Sequence, residues 1–479
     1  MDKQAVKRWT VLIIVAFAMM MGYVFWDIVS PLSTTLKAPL SEGGMEWTAS
    51  EYGFYAGSYS IFNIFLLMLF LGGIILDKCG IRFTGLLATG MMMGGAAVNW
   101  FALQYVAPTI YVEMPVTLFG LIPEYLKTQV LVSALGFGMF GVGCDITGIT
   151  VSKVVTKWFT GHELASAMGI QVAMARLGTA SAISLSPVIA QTYGLPAPLL
   201  VGALLLLAGF VMFGGYTMMD KPHPGPPQKG REEEPATDPS LKEPTPDPSL
   251  KGGEEDGESA TLLQSFKTKL LRNSGFWIIA ILCVLFYSSL RPFLKFATDL
   301  LVNKYGIDVV TAGWIVSLLP YGTIVLTPLF GSIYDRIGRG ATLMLIGCAL
   351  VLFCHVVLAL PIINTTWVAT LMMVLLGVAF SLVPSAMWPS VPKLVPLQVL
   401  GTSYSIIYYI QNIGLMLMPM FVGNIIDQNT GADGHVDFTA PMSVFAVFAL
   451  AATLVAALLL YMDKRHNYGL EKANIKSPK

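Results

Sequence analysis

Gly73-Ile-Ile-Leu-Asp77-Lys78-Cys79-Gly80-Ile81-Arg82 and Gly331-Ser-Ile-Tyr-Asp335-Arg336-Ile-Gly338-Arg339 are two copies of one pattern, G-x-x-x-D-[RK]-x-G, each closed by an arginine. Each is a short polar turn between two long apolar runs. Glycine at such a turn lets two helix ends approach closely. The aspartate can accept hydrogen bonds from a neighbouring helix N-terminus and from the basic residues beside it. A contact of that kind would hold one side of a helical bundle shut. One copy alone is an ordinary glycine-rich turn, whereas two copies at equivalent places mark a duplicated structure.

The runs flanking the two turns set the fold. A helix needs about 20 mostly apolar residues to cross a bilayer. Such runs fall near 10–32, 52–76, 83–106, 129–151, 163–191 and 195–219, and again near 275–300, 310–333, 341–361, 366–391, 400–427 and 440–462. Six spans, a gap and six more predict an all-α membrane protein, with twelve transmembrane helices in two pseudo-symmetric six-helix bundles. The bundles are residues 1–219 and 273–479, the second ending in a short tail. The gap, 220–272, is rich in Pro, Glu, Lys and Gly and repeats DPSLK at Asp238–Lys242 and Asp247–Lys251. It cannot bury a core and reads as a disordered cytoplasmic linker. Lys3, Lys7 and Arg8 before the first run imitate a signal peptide, but no small-residue cleavage site follows and the run is long enough to span.

Composition agrees. Of the 479 residues 55% are hydrophobic and 12% charged, about half the charge of an ordinary soluble domain. Lys plus Arg and Asp plus Glu are each 29, so net charge points to neither nucleic acid nor an acidic partner. Position is more telling. With a cytoplasmic N-terminus, one side collects Lys3, Lys7, Arg8, Lys78, Arg82, Lys153, Lys157, the eight basic residues from Lys221 to Arg272, Arg336, Arg339, Lys393 and five in the tail. The other keeps Lys37, Lys127 and Lys304. This asymmetry puts both termini and the linker in the cytoplasm. Cys79, Cys144, Cys283, Cys348 and Cys354 stand singly in apolar runs, without metal or redox spacing, and read as small buried hydrophobes. His162 and His355 also lack ligand spacing.

The doubled turn resembles the loop signature of the major facilitator superfamily, at the two places where that family carries it. A narrower resemblance lies in GVGCDITGITVSKVVTKWFTGHELASAMGIQVAMARLGT (141–179) and AMWPSVPKLVPLQVLGTSYSIIYYIQNIG (386–414). These are similar to the lysosomal dipeptide uniporter branch of that superfamily. The matching elements are the fourth-span acid, Trp158-Phe159, Glu163-Leu164, Met174-Ala175-Arg176, Trp388-Pro389, Gly401-Thr402 and Gln411-Asn412. The resemblance implies that Asp145 and Arg176 contact the two termini of a dipeptide. It also implies an acid in the first span, here Asp27, and an apolar residue where this chain has Arg291.

The residues support a site on their own. Asp145 and Arg176 are 31 apart, nearly symmetric about Gly161, so an antiparallel pair of helices holds them at similar depth. Each is then roughly 20 Å from the turn, near the bilayer middle. An ionisable group there costs about 2.5–3.5 kcal/mol on insertion scales and needs a cavity or a partner. Either the two receive a zwitterion, Arg176 forking onto a carboxylate and Asp145 meeting an ammonium, or they form an ion pair that locks their helices together. Arg291, Lys295 and Asp299 share one face of the seventh span. Arg291 lies at a depth to pair with Asp27 across the halves. These cations either select a more acidic substrate or neutralise Asp27 and Asp299. Trp388, Tyr404, Tyr408 and Gln411 either line the pathway or bond between helices, and Asn63 is equally ambiguous.

No phosphate-binding loop, nucleophile elbow or metal cluster is apparent, so neither an enzyme nor an ATP-driven pump is expected and no cofactor is implied. The expected function is secondary transport by alternating access, of dipeptides or similar small zwitterions. The alternatives are an organic-anion carrier and a non-transporting sensor of the same fold. The expected partners are a small-molecule substrate and the lipid bilayer, and the chain is expected to act as a monomer. Its compact loops suit a bacterial inner membrane as well as a lysosomal one.

Overall fold

The computed structural model describes residues 3–159, 162–220, 272–396, 400–431 and 434–473. The expected linker lies outside the described residues apart from its ends, Asp220 and Arg272. The helices are α1 (Lys3–Asp27), α2 (Ser33–Lys37), α3 (Ala49–Ser58), α4 (Ile61–Phe65), α5 (Met68–Tyr105), α6 (Thr128–Phe159), α7 (Leu164–Tyr193) and α8 (Ala197–Met219) in the first half. The second half holds α9 (Ser274–Tyr305), α10 (Val309–Ile337), α11 (Gly340–Ala359), α12 (Thr366–Leu394), α13 (Leu400–Gln428) and α14 (Thr439–His466). A small antiparallel hairpin, β1 (Tyr111–Glu113) and β2 (Tyr125–Lys127), precedes α6.

Among the described residues eleven helices are long and apolar enough to cross a bilayer, and α5 supplies parts of two spans. Its helical path breaks at Gly80 (φ +79°, ψ 171°). Gly72 packs on Ile146 of α6 and Ala88 on Gly143 of the same helix. An unbroken helix would set residues 72 and 88 about 24 Å apart, so the chain must double back between them. The twelve crossings are therefore α1; α3, α4 and the start of α5; the rest of α5; α6; α7; α8; and α9 to α14. Gly338, the equivalent residue of the second turn, has the same φ of +79°. Both turns use the left-handed backbone region that glycine enters without steric cost.

The second span is less regular than its hydropathy suggests. It is interrupted at Tyr59-Ser60 and again at Leu66-Leu67, where Leu67 takes a φ of +51°. Its first segment, α3, is wholly buried. Gly53 and Gly57, one turn apart, lie against the backbone of α13 at Pro419 and Met416, an approach that any side chain would block. The first span starts and stops earlier than its apolar run: α1 ends at Asp27, followed by a 3-10 turn at Ser30–Leu32 and then α2. One of the five cysteines departs from expectation. Cys79 is exposed because it stands beside the Gly80 turn, while the other four are buried.

With twelve crossings the start of α1 and the end of α14 lie on one face, the terminal face; the other is the distal face. The halves are joined from the distal face inward. Lys37 Nζ lies 2.5 Å from Asp299 Oδ2, and Thr34 Oγ1 donates to Asp299 at 3.0 Å. The start of α3 is held by both halves. Thr48 and Glu51 form a capping box, with Glu51 N donating to Thr48 Oγ1 and Thr48 N to Glu51 Oε2. Asp427, at the distal end of α13, accepts from Ala49 N at 2.8 Å, from Ser50 N at 2.7 Å and from the Ser50 hydroxyl. Contacts continue to mid-depth through Ser60 Oγ donating to Asn412 Oδ1 at 2.7 Å. They reach Tyr409, whose ring meets Phe70.

Candidate functional site

The interruption of the second span at Tyr59-Ser60 is what builds the site. Tyr59 OH donates to Asp145 Oδ1 at 2.7 Å and Asn63 Nδ2 to Asp145 Oδ2 at 2.6 Å. Both carboxylate oxygens are thus oriented by neutral donors. Among the described residues no cation lies within 4 Å of Asp145, and Arg176 is not its partner. Arg176 instead stacks its guanidinium over Phe380 of α12, 4.5 Å from the ring centre, and its buried Nη1 has no hydrogen-bond acceptor among the described residues. The ion pair that would lock α6 to α7 is not formed.

Asp27 is neutralised across the halves. Lys295 Nζ lies 2.8 Å from Asp27 Oδ1 and also donates to Trp26 O at 2.6 Å and to Ser30 Oγ at 3.0 Å. Arg291 Nη1 approaches Asp27 Oδ2 only to 3.5 Å. Its guanidinium lies 4.6 Å from the Trp26 ring and 5.4 Å from Phe380, so Arg176 and Arg291, one from each half, share the same phenyl ring. Trp26 stacks in turn on Tyr59 at 4.2 Å. A small pocket between the halves is lined by Trp26, Asp27, Tyr59, Arg291 and Lys295. Asp299 does not belong to this group. Lys37 neutralises it from the short α2, which sequence could not place near it because α2 follows a turn of unknown direction.

On the second half, Trp388 stacks on Tyr408 at 4.8 Å, donates Nε1 to Tyr287 OH at 3.3 Å, and receives the Tyr404 hydroxyl on its carbonyl at 3.2 Å. Gln411 is buried and accepts from the Cys283 thiol at 3.7 Å. Tyr59, Trp26, Tyr287 and Phe380 escaped the sequence reading. Tyr52, Tyr55, Tyr59 and Asn63 recur at spacings of three and four and were the available signal for a polar stripe on the second span.

The two loop motifs lie at the terminal face. Asp77 pairs with Lys153 of α6 at 2.5 Å, both exposed, and Arg82 and Lys157 converge on Asp220 at 3.4 and 2.8 Å. Gly73 is half-buried and Lys78 exposed. In the second copy Gly331 and Asp335 are half-buried, Arg336 and Arg339 exposed. Gly338 packs on the tail at Glu471 and Ala473, and Arg339 N donates to Glu471 O. Each of these contacts falls within one half, whereas the contacts described between the halves run from the distal face to mid-depth and on to Phe70 and Tyr409. Among the described residues no group of His, Cys, Asp or Glu is arranged to hold a metal ion.

A duplicated bundle of twelve spans, with opposed charges at mid-depth between its halves, defines an integral membrane transporter. The Major Facilitator Superfamily model matches residues 11–419, and again 293–478, and the chain belongs to that family. It is 27% identical over 428 residues to the zebrafish (Danio rerio) lysosomal dipeptide transporter MFSD1, covering 88% of this chain and 80% of the relative. The human (Homo sapiens) protein of that name is 25% identical over 464 residues, covering 96% and 87%. Among solved structures, a bacterial homologue of the human lysosomal transporter Spinster, inward-facing and occupied, superposes with a TM-score of 0.66 at 13% identity, covering 98% of this chain and 99% of that one.

Proposed function

We propose that this transporter is a carrier for dipeptides or similar small zwitterions, working by alternating access with both termini in the cytoplasm. The observation that carries the proposal is the pair Asp145 and Arg176. They are opposite charges at similar depth, and neither has an ionic partner among the described residues. A zwitterion supplies both missing partners at once. An extended dipeptide spans about 7 Å, and its carboxylate suits the planar fork of a guanidinium. The name borne by the relatives supports the same substrate class. Alternating access is supported by the charged groups facing each other between the halves and by polar contacts joining the halves on the distal side, and the orientation by the basic residues. Lys37, Lys127 and Lys304 are each committed internally, to Asp299, to Glu51 and to the carbonyls of Leu358 and Leu360. The distal side therefore offers none of these three charges to hold it in the cytoplasm.

The test is uptake of a labelled dipeptide by purified protein in liposomes. Arg176→Lys should fold but transport poorly, because the fork is lost though the charge remains. Asp145→Asn should lose discrimination between dipeptides with free and with acetylated amino termini. Robust uptake by a double variant with apolar residues at both positions would remove the binding role.

A further inference from the structure

The charged side chains at mid-depth do not balance. Three cations, Arg176, Arg291 and Lys295, stand with two carboxylates, Asp27 and Asp145. The remaining buried charges nearer the distal face are paired off: Asp299 with Lys37 and Glu51 with Lys127. Asp427 is occupied at the start of α3. Within the band, Lys295 takes Asp27 at 2.8 Å with two further acceptors around it, which accounts for one cation and one acid. Asp145 and Arg176 are the charges assigned above to the two ends of a zwitterion. Arg291 is left over.

Its circumstances fit a ligand contact better than a structural one. The nearest carboxylate oxygen is 3.5 Å away, long for a charge-assisted hydrogen bond. Beyond that long contact its guanidinium is positioned by aromatic rings, Trp26 at 4.6 Å and Phe380 at 5.4 Å. It lines the pocket between the halves. Through Phe380 it is also a neighbour of Arg176, their charged carbons no more than about 10 Å apart. An uncompensated cation in a low-dielectric site favours an anionic occupant over a neutral one.

We infer that the site selects a substrate of net charge −1, a dipeptide with one acidic side chain, and that Arg291 is the specificity-determining residue that receives that side chain. This rests on the zwitterion reading of Asp145 and Arg176 and adds a third point of contact to it.

The probes are Ala-Glu, Ala-Ala and Ala-Lys, titrated into the purified full chain in detergent by calorimetry. Ala-Glu should bind about tenfold more tightly than Ala-Ala, the effect expected of a charge-assisted hydrogen bond, and Ala-Lys most weakly. Arg291→Gln should bring the Ala-Glu to Ala-Ala ratio close to one, whereas Arg291→Lys, which keeps the charge and loses the fork, should retain part of it. The wild-type ranking and the Lys variant decide the matter even if Arg291→Gln fails to fold. Equal affinities of the wild type for all three probes would overturn this inference and leave the dipeptide reading standing, as would an Arg291→Lys effect identical for every probe. Binding of none of the three would overturn both.

Discussion

Replacing Asp427 by alanine should open the distal side. In the state observed, this carboxylate accepts two backbone N–H groups at the start of α3 at 2.8 and 2.7 Å and one serine hydroxyl, all from the other half. Losing a helix N-cap costs about 0.5–2 kcal/mol, and losing a negative charge at a helix N-terminus about 0.3–1 kcal/mol. Ala49 and Ser50 are buried in the closed state, so their amides would lose an acceptor without regaining water there, a penalty of about 1–3 kcal/mol that opening relieves. A loss of about 2 kcal/mol would raise the ratio of distal-open to distal-closed molecules about 30-fold. The assay is a spin-label distance measurement between Leu40 and Ile362, exposed residues on the distal ends of the two halves, in a chain freed of its native cysteines. Asp427→Ala should populate longer distances, and Asp427→Asn should do so less, since the amide oxygen still accepts. An Asp427→Ala distribution indistinguishable from the parent would show that this carboxylate does not contribute to holding the halves together.

Lys295→Met should leave Asp27 buried with only the long Arg291 contact. Breaking a buried pair costs about 3–5 kcal/mol, so the melting temperature in detergent should fall and Asp27→Asn should partly restore it; no rescue would mean that Lys295 matters for its packing instead. For orientation, Phe119, fully exposed in the hairpin loop, and Arg465, exposed at the end of α14, should behave oppositely as cysteines in a Cys79-free chain. An impermeant thiol reagent outside intact cells should label position 119 and spare 465, and labelling of 465 would reverse the topology.

The twelve spans and the duplication were legible because both are one-dimensional: run length and a repeated eight-residue pattern. That Asp145, Arg176 and Asp27 stand within helical spans was legible too, since each lies well inside a long apolar run. What each charge would meet was not. Arg291 and Lys295 share a helix face and both were candidates for Asp27, but only the structure shows that Lys295 takes it at close range while Arg291 turns to Trp26 and Phe380. Asp299 was wrongly grouped with them because Lys37 reaches it from a five-residue helix behind a 3-10 turn, a path no periodicity encodes. The breaks in the second span were equally hidden. Tyr59-Ser60 and Leu66-Leu67 carry neither proline nor glycine, and tertiary contacts to Asp145 and Asn412 compete there with continued helix.

The first turn of α3 has divided ownership. Of the four amide groups that a helix start leaves without partners, those of Thr48 and Glu51 are satisfied by the segment's own side chains and those of Ala49 and Ser50 by Asp427. Were the distal side to part, the helix would keep the local pair and surrender the borrowed one to water, so the seam could separate without unwinding the element that forms it. The same division suits the order of synthesis. The amino-terminal half emerges before residue 427 exists, and the box of Thr48 and Glu51 can hold the helix start until its second owner arrives.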